Sequence, residues 1–244
     1  MFANDIFSIL DKIVPRKLAL KNDKIGYYGQ NFRNLDIENI KVIMDLLPQQ
    51  DKEFKESDLI IAHHPPIFLP KTPTYVIHSN WDVIEGGAND ALAKYLGLTP
   101  ISTFHKQTGI GRICSSKHTL NEFIELVCLK FGIENVRVVN NSDSNKRLKK
   151  IAIVSGYGLS DKQLIKLAKD RSVDVFLSGD LNHSNAILAN KLGVTLIDIP
   201  HHIIEVPGLI ALCELINSID EIDIPIELVD TGIPWDYPLL NLEI

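Results

Sequence analysis

Cysteine is scarce in this chain. Its 244 residues include three, Cys114, Cys128 and Cys213, an odd number with no CxxC spacing. That excludes a disulfide framework and a thiolate zinc site, and predicts buried thiols without chemistry. A basic excess is also lacking: 25 Lys and Arg stand against 31 Asp and Glu, for a formal net charge of −6. Nucleic-acid surfaces usually carry the opposite balance, so no nucleic-acid partner is expected. No apolar run reaches the roughly 18–20 residues of a membrane span. The opening segment, MFANDIFSILDKIVPRK, has Asp5 and Asp11 where a signal peptide would have early basic residues. The reading is a cytoplasmic protein with no membrane attachment. A phosphate-binding GxxxxGKS/T loop is absent too. The remainder is ordinary for a globular protein, with 45% hydrophobic and 23% charged residues at a length suited to one large or two small α/β units.

Periodicity organises the second half clearly. KKIAIVSG (149–156), VDVFLSGD (173–180) and VTLIDIP (194–200) are β-branched apolar runs that read as strands. Between and after them lie helical patterns over 159–172, with Ser160 as N-cap, over 184–193, ending at Gly193, and over 207–219, with Pro207 in the first turn. This alternation predicts a largely parallel or mixed sheet covered by helices. In the first half, 4–15 and 86–98 read as helices, and 39–48, 57–62 and 74–79 as strands. The fold class is α/β in two halves, 1–120 and 121–244, with the boundary within 106–150.

Metal-capable side chains gather at the predicted strand ends, where open α/β sheets place functional groups. DLIIA runs into His63 and His64, closed by Pro65 and Pro66. TYVIHS, which contains His78, is followed by Asp82; VTLIDIP by His201, His202 and Glu205; VDVFLSGD ends at Asp180 with His183 nearby. Neighbouring side chains of an extended chain point to opposite sides. The Pro-Pro turn can let both imidazoles flank one space while facing different ions, about 3.5–4 Å apart in known two-metal sites. Imidazole with carboxylate and no thiolate suits a catalytic centre. Spacing alone does not choose between His201 and His202, and His105 and His118 read as ordinary hydrogen-bonded histidines. SGYGLS (155–160) is either a strand-to-helix connection or a small phosphate-binding turn. Arg112 and Lys117 are surface charges by default, with phosphate neutralisation as the other reading.

Four stretches, IAHHPPIF (61–68), HSNWDVIEGGANDAL (78–92), FLSGDLNHSNAILANKLG (176–193) and PHHIIEVPGL (200–209), together resemble the Nif-three-like dinuclear metal-centre proteins, many of them named type 2 homologues of GTP cyclohydrolase I. The resemblance covers nearly the whole chain and is of the short form, without an inserted middle domain. It implies His63, His64, Asp82, His201 and Glu205 as metal ligands, and its four-residue step to Glu205 favours His201 over His202. It places His78 and His183 near the site as proton-transfer candidates. It also implies two interlocked α/β halves with the metal site between them, and a ring-shaped homohexamer. Pro200, Ile204 and Asp180 depart from the usual Gly, Thr and Glu, and KIGYYGQ (24–30) matches an early family element only loosely.

The chemistry so implied is hydrolysis by metal-activated water, with two divalent ions per chain (zinc, manganese, iron or nickel) and GTP as substrate, giving formate and dihydroneopterin triphosphate. The alternatives are another metal-dependent hydrolase, acting on a phosphoester or cyclic amide, and a non-catalytic metal-binding ring that binds partner proteins.

Overall fold

The computed structural model describes residues 1–30 and 35–235. In chain order the elements are α1 (Ala3–Ile13), β1 (Gly26–Tyr28), β2 (Asn39–Ile43), β3 (Asp58–Ala62), β4 (Thr74–Val76), α2 (Ser79–Val83), α3 (Ala88–Tyr95), β5 (Thr99–Thr103), β6 (Arg112–Ser115), α4 (Leu120–Phe131), β7 (Arg137–Val139), β8 (Lys150–Ile153), α5 (Lys162–Asp170), β9 (Val175–Ser178), α6 (His183–Leu192), β10 (Thr195–Asp198), α7 (His201–Asn217) and β11 (Ile226–Leu228).

The strands form a five-stranded sheet, β1-β4-β3-β2-β11, and a six-stranded sheet, β5-β6-β8-β9-β10-β7. Strands β2, β3, β4 and β11 run parallel with β1 antiparallel to β4, and β8, β9 and β10 run parallel with β6 antiparallel to β5 and β8 and β7 antiparallel to β10. Every residue of β3 is buried, as a central strand covered on both faces requires. Its Leu59 and Ile61 pack with α1 and α7, while Ile60 and Ala62 pack on the opposite face with Ile43 and Val76. In the second sheet Ile151, Ile153, Val175 and Leu177 face α3 and α4, whereas Ala152, Val154 and Phe176 face α5 and α6.

Sheet membership changes between β4 and β5, ahead of the 106–150 interval expected from the sequence, and the chain returns to the first sheet at β11. The physical reason is pairing: β6 aligns with β8, which draws residues 99–115 into the second sheet. Two helices then tie the sheets together. Helix α3 places Ala88 in the first core and Leu92, Ala93 and Leu96 in the second. Helix α7 places Ile204 in the second core and Leu209, Leu212 and Ile216 in the first.

Two helix starts differ from the sequence reading. Helix α5 is capped by Asp161, which accepts from Gln163 N at 2.7 Å, and Ser160 falls in a preceding short 3-10 turn. Helix α7 begins at His201, six residues ahead of Pro207, and Pro207 lies inside it. The first turn closes because Ile204 N donates to the Pro200 carbonyl at 3.1 Å. A proline inside a helix removes one backbone hydrogen bond, which makes it a misleading start signal. Arg112 is buried, with Nε and Nη2 donating to the two Asp90 carboxylate oxygens at 2.6 and 2.7 Å. It is a structural arginine at the start of β6, which corrects the surface reading. Cys114 and Cys213 are buried and Cys128 is half-buried, all as free thiols. Among the described residues, no helix is long and apolar enough to cross a membrane.

Helices α3 and α7 approach closely at Ala88 and Gly208, where a Cβ on Gly208 would lie 2.7 Å from the Ala88 Cβ. The Gly208 carbonyl also accepts from Trp81 Nε1 at 2.9 Å. Gly208→Val should therefore overpack this crossing and lower unfolding free energy by about 1–3 kcal/mol in denaturant titration. An unchanged midpoint would contradict the close approach.

Candidate metal centre

The pairing of β2 with β3 continues beyond the strands. His63 N donates to Ile43 O and His64 N to Met44 O, both at 3.0 Å, so the histidine pair is held on the sheet before Pro65 ends it. The rings nonetheless flank one space, with centroids 5.0 Å apart and planes inclined by 45°. His63 directs Nδ1 to the Ile77 carbonyl at 3.0 Å, which leaves Nε2 for the interior. Across from it, the carboxylates arrive on helices. Asp82 lies in the short α2. His201 and Glu205 sit at i and i+4 in the first turns of α7, so their side chains share one face.

Glu205 is 4% exposed and lies at the meeting point. Its Oε1 is 3.7 Å from His63 Nε2, and its Oε2 is 3.1 Å from both His64 Nε2 and His201 Nε2. Asp82 Oδ1 is 3.7 Å from His63 Nε2. The ligating atoms of His64, His201 and Glu205 lie within 4.8 Å of one another, and so do those of His63, His64 and His78. The five residues singled out as ligands in the sequence therefore meet, and His78 joins them, its ring 5.1 Å from His63 and 5.5 Å from His64. His183 does not join: it is exposed at the start of α6 and makes none of these contacts. His202 turns elsewhere, with Nε2 3.5 Å from Asp230.

Despite these short approaches, His63 Nε2, Asp82 Oδ1, His201 Nε2 and Glu205 Oε2 are buried without a hydrogen-bond partner. Each such orphan costs about 1–3 kcal/mol. Buried imidazole nitrogens and carboxylate oxygens that converge without bonding one another fit a cation, which would satisfy them together. The surrounding backbone fits as well. Gly156 has φ +81°, and a Cβ there would overlap Glu205 Oε1. The turn beginning at Ser155 thus makes room for Glu205. Two of its amides are already engaged, Ser155 N with Asn89 Oδ1 at 2.9 Å and Gly158 N with Ser178 Oγ at 2.9 Å. Asn89 also donates to the Asp82 carbonyl at 2.7 Å and so links the Asp82 helix to the turn under Glu205.

Three carboxylates that spacing did not single out as partners orient the rings. Asp45 takes His64 Nδ1 at 2.9 Å, Asp180 takes His201 Nδ1 at 2.7 Å and Asp23 takes His78 Nδ1 at 2.9 Å. Such partners hold the ring so that its other nitrogen faces the centre. Asp45 directly follows β2, so the strand-end rule contained its signal. Asp23 lies in a loop beside the loosely matching 24–30 stretch and ends no predicted strand, so the strand-end rule did not contain it.

Burial opposes charge on His64, but the hydrogen bond with Asp45 and the adjacent carboxylates of Glu205 and Asp45 outweigh it and raise its pKa to about 10. Against the same burial penalty, Glu205 and Asp180 take His201 to about 9. Burial raises Asp82. For Glu205, burial is outweighed by His63, His201 and His64, and its carboxyl lies well below the usual range. Without an ion, His64 and His201 therefore carry protons at pH 7. Because their folded values lie above the ordinary 6.5, the stability they supply is complete below pH 6.5 and is lost as pH rises through 9–10. Ion-stripped protein should lose thermal stability between pH 7 and 10 in calorimetry, and zinc-loaded protein should keep it. Zinc uptake at pH 7 should release protons into a weak buffer. A flat profile for the stripped protein would contradict the charged pairs. Gly156→Ala should weaken zinc affinity by about 10–100-fold, measured by competition with a chelator.

Comparison with known proteins places these features in context. The model of the family described as Duf34/NIF3 (NGG1p interacting factor 3) matches residues 1–74 and 71–232. A protein named GTP cyclohydrolase 1 type 2 homolog from Methanothermobacter thermautotrophicus is 42% identical over 232 residues, covering 95% of this chain and 94% of that one. One of the same name from Methanocaldococcus jannaschii is 31% identical over 241 residues, covering 89% and 96%. Among solved structures, reduced HcgD from Methanocaldococcus jannaschii superposes with a TM-score of 0.79 at 28% identity, covering 93% and 97% of the two chains. A Staphylococcus aureus hypothetical protein also superposes at 0.79, with 25% identity and coverage of 98% and 99%.

Proposed function

This chain belongs to the Duf34/NIF3 family, and from that premise we propose that it is a dinuclear metal-dependent hydrolase of the GTP cyclohydrolase type 2 kind. The observation that carries the reading is Glu205, a buried carboxylate whose two oxygens face different histidines. In this reading His63, His64, Asp82, His201 and Glu205 would hold two divalent ions. Zinc, manganese, iron and nickel all suit such donors. Two ions bound there would supply Lewis-acid polarisation of the attacked carbon and a water of lowered pKa.

The chain's own groups supply the rest. Asp45, Asp180 and the Ile77 carbonyl fix the ligand rings with Nε2 toward the centre. His78 engages Asp23 through Nδ1, so its remaining nitrogen can take or return a proton beside His63 and His64. The pKa of the Asp23 carboxyl lies at about 2, burial being outweighed by His78 and Ser79, so it is a carboxylate at neutral pH. This arrangement makes His78 the stronger proton-transfer candidate. The exposed His183 is the weaker one. The reaction is GTP and water to formate and dihydroneopterin triphosphate, with opening of the guanine imidazole ring at C8. The names borne by relatives support GTP as the first substrate to test. The sequence resemblance supports a homohexameric ring.

The deciding experiment follows formate release from GTP by protein stripped of metal and then loaded with zinc, manganese, iron or nickel. His63→Ala/His64→Ala serves as the control. Metal-dependent formate that falls to background in the control is expected. Protein that binds two ions per chain and releases no formate with any of them would overturn the GTP reading, and leave another hydrolase or a metal-binding ring.

A further inference from the structure

The histidine cluster meets solvent on two sides. On one, a cleft of about 400 Å³ is lined by Asp45, His64, Asp180 and His201 with Pro65, Pro66 and further apolar side chains, and no lysine or arginine is among its described walls. His78 does not line that cleft, yet its side chain is 26% exposed. The second side therefore lies beside His78, and the segment 16–25 borders it.

Hydrogen bonds fix that segment in place. Leu20 N donates to Ser79 Oγ at 2.9 Å. Asp23 accepts from Ser79 N at 3.1 Å and from the Ser79 hydroxyl, and holds His78 Nδ1 at 2.9 Å. Between these anchors Asp23 N donates to the Leu20 carbonyl at 3.0 Å, and Asn22 has φ +69°, a left-handed turn conformation that asparagine tolerates. Lys21 and Asn22 are thus the tip of a turn whose two ends rest on residues 78 and 79. Just beyond, the Tyr28 hydroxyl donates to the Lys24 carbonyl at 3.0 Å. Arg16 Nη2 closes the base of the loop on the Ile25 carbonyl at 3.2 Å.

The charge of this segment opposes that of the chain. The whole protein carries a net −6, but Arg16, Lys17, Lys21 and Lys24 are grouped here, with Asp23 the one acid among them. Asp23 is already occupied by His78 and Ser79. Lys17, Lys21 and Lys24 are exposed, and none of them forms an ion pair with a described residue. Surface lysines are common singly; Lys21 and Lys24 differ in being carried by backbone that is bonded to the residues around His78. An ammonium on a long stem is a point-charge partner for phosphate, and grouped charges of one sign attract such a ligand to the site. Arg112, considered for that role from the sequence, is committed to Asp90.

We propose that Lys21 and Lys24 form an anion-binding rim that holds a phosphate group of the substrate beside His78, so that the site takes phosphorylated small molecules in preference to their neutral counterparts. The inference rests on the proposed hydrolase reading and deepens it by naming the substrate class. A phosphate held at this rim leaves the rest of the molecule to extend toward His63 and His64, whose rings lie 5.1 and 5.5 Å from that of His78.

Binding is measured separately from turnover. Zinc-loaded full-length protein is titrated by calorimetry with GTP, guanosine and inorganic triphosphate at fixed salt. GTP should bind at least about tenfold tighter than guanosine, with triphosphate competing. Lys21→Gln/Lys24→Gln should weaken GTP and triphosphate by about tenfold or more, while guanosine affinity and zinc content hold. Lys21→Arg/Lys24→Arg should keep the original affinities. Lys166→Gln/Lys169→Gln, which removes the same charge from α5, should change nothing. Triphosphate as tight as GTP would trace recognition to the phosphate chain alone, and weaker triphosphate would show the nucleoside adding to it; both support the rim. Guanosine as tight as GTP, GTP affinity that survives in Lys21→Gln/Lys24→Gln, or failure of both GTP and triphosphate to bind would overturn the inference. So would an equal loss in the α5 variant, which would reduce the effect to net charge. Lysine-dependent binding without formate release would fail the hydrolase reading alone. Formate release with KM unchanged in Lys21→Gln/Lys24→Gln would fail this inference alone.

Discussion

A carboxylate removed from water needs charge or hydrogen bonds around it, and Glu205 is faced by the ring nitrogens of three histidines. That requirement joins the two sheets. His63 and His64 end a strand of the first sheet, whereas Glu205 and His201 open a helix that begins where a strand of the second sheet ends. Neither side neutralises its buried group alone. In the metal-free chain the histidines respond by holding protons, with His64 at about 10 and His201 at about 9. The same field that charges those rings would hold divalent ions, and the unpartnered atoms facing inward are the ones an ion would take.

The distance across this centre is set by packing away from it. The close approach at Ala88 and Gly208 leaves α3 and α7 little freedom to slide, and each helix is embedded in both cores. Asn89, one residue from that contact, carries the constraint to the site through the Asp82 carbonyl and the Ser155 amide. Gly156 then accommodates Glu205 where any side chain would displace it. A run of ordinary contacts therefore converts helix packing into ligand geometry. The buried Arg112–Asp90 pair belongs to the same frame, since Asp90 follows Asn89 and Arg112 begins β6.

Outside the ligands lies a layer of carboxylates, Asp23, Asp45 and Asp180, each on the Nδ1 of a different histidine. Asp180 stands where the family usually has glutamate, and it still reaches His201. It does so from a backbone with φ +65°, in the left-handed region that aspartate tolerates better than most residues. The cleft beyond this layer is apolar, which leaves the metal-capable cluster as its polar end.

The order of strands and helices could be read from the sequence because it depends on local periodicity, which is strong in runs such as DLIIA and KKIAIVSG. Residue chemistry and position at strand ends also brought His63, His64, Asp82, His201 and Glu205 forward, and resemblance narrowed the choice between His201 and His202. Several features were not local. The start of α7 depended on Pro200 and the packing of Ile204, and an interior proline masked it. Sheet membership depended on the pairing of β6 with β8 across an intervening helix. Asp23 is 55 residues from His78, and no periodic signal encodes that contact. By itself the sequence determined which side chains could ligate a metal, since that follows from residue type and strand ends. Tertiary structure alone decided which carboxylate orients each ring and what the centre opens onto, because those relations arise only when distant segments pack.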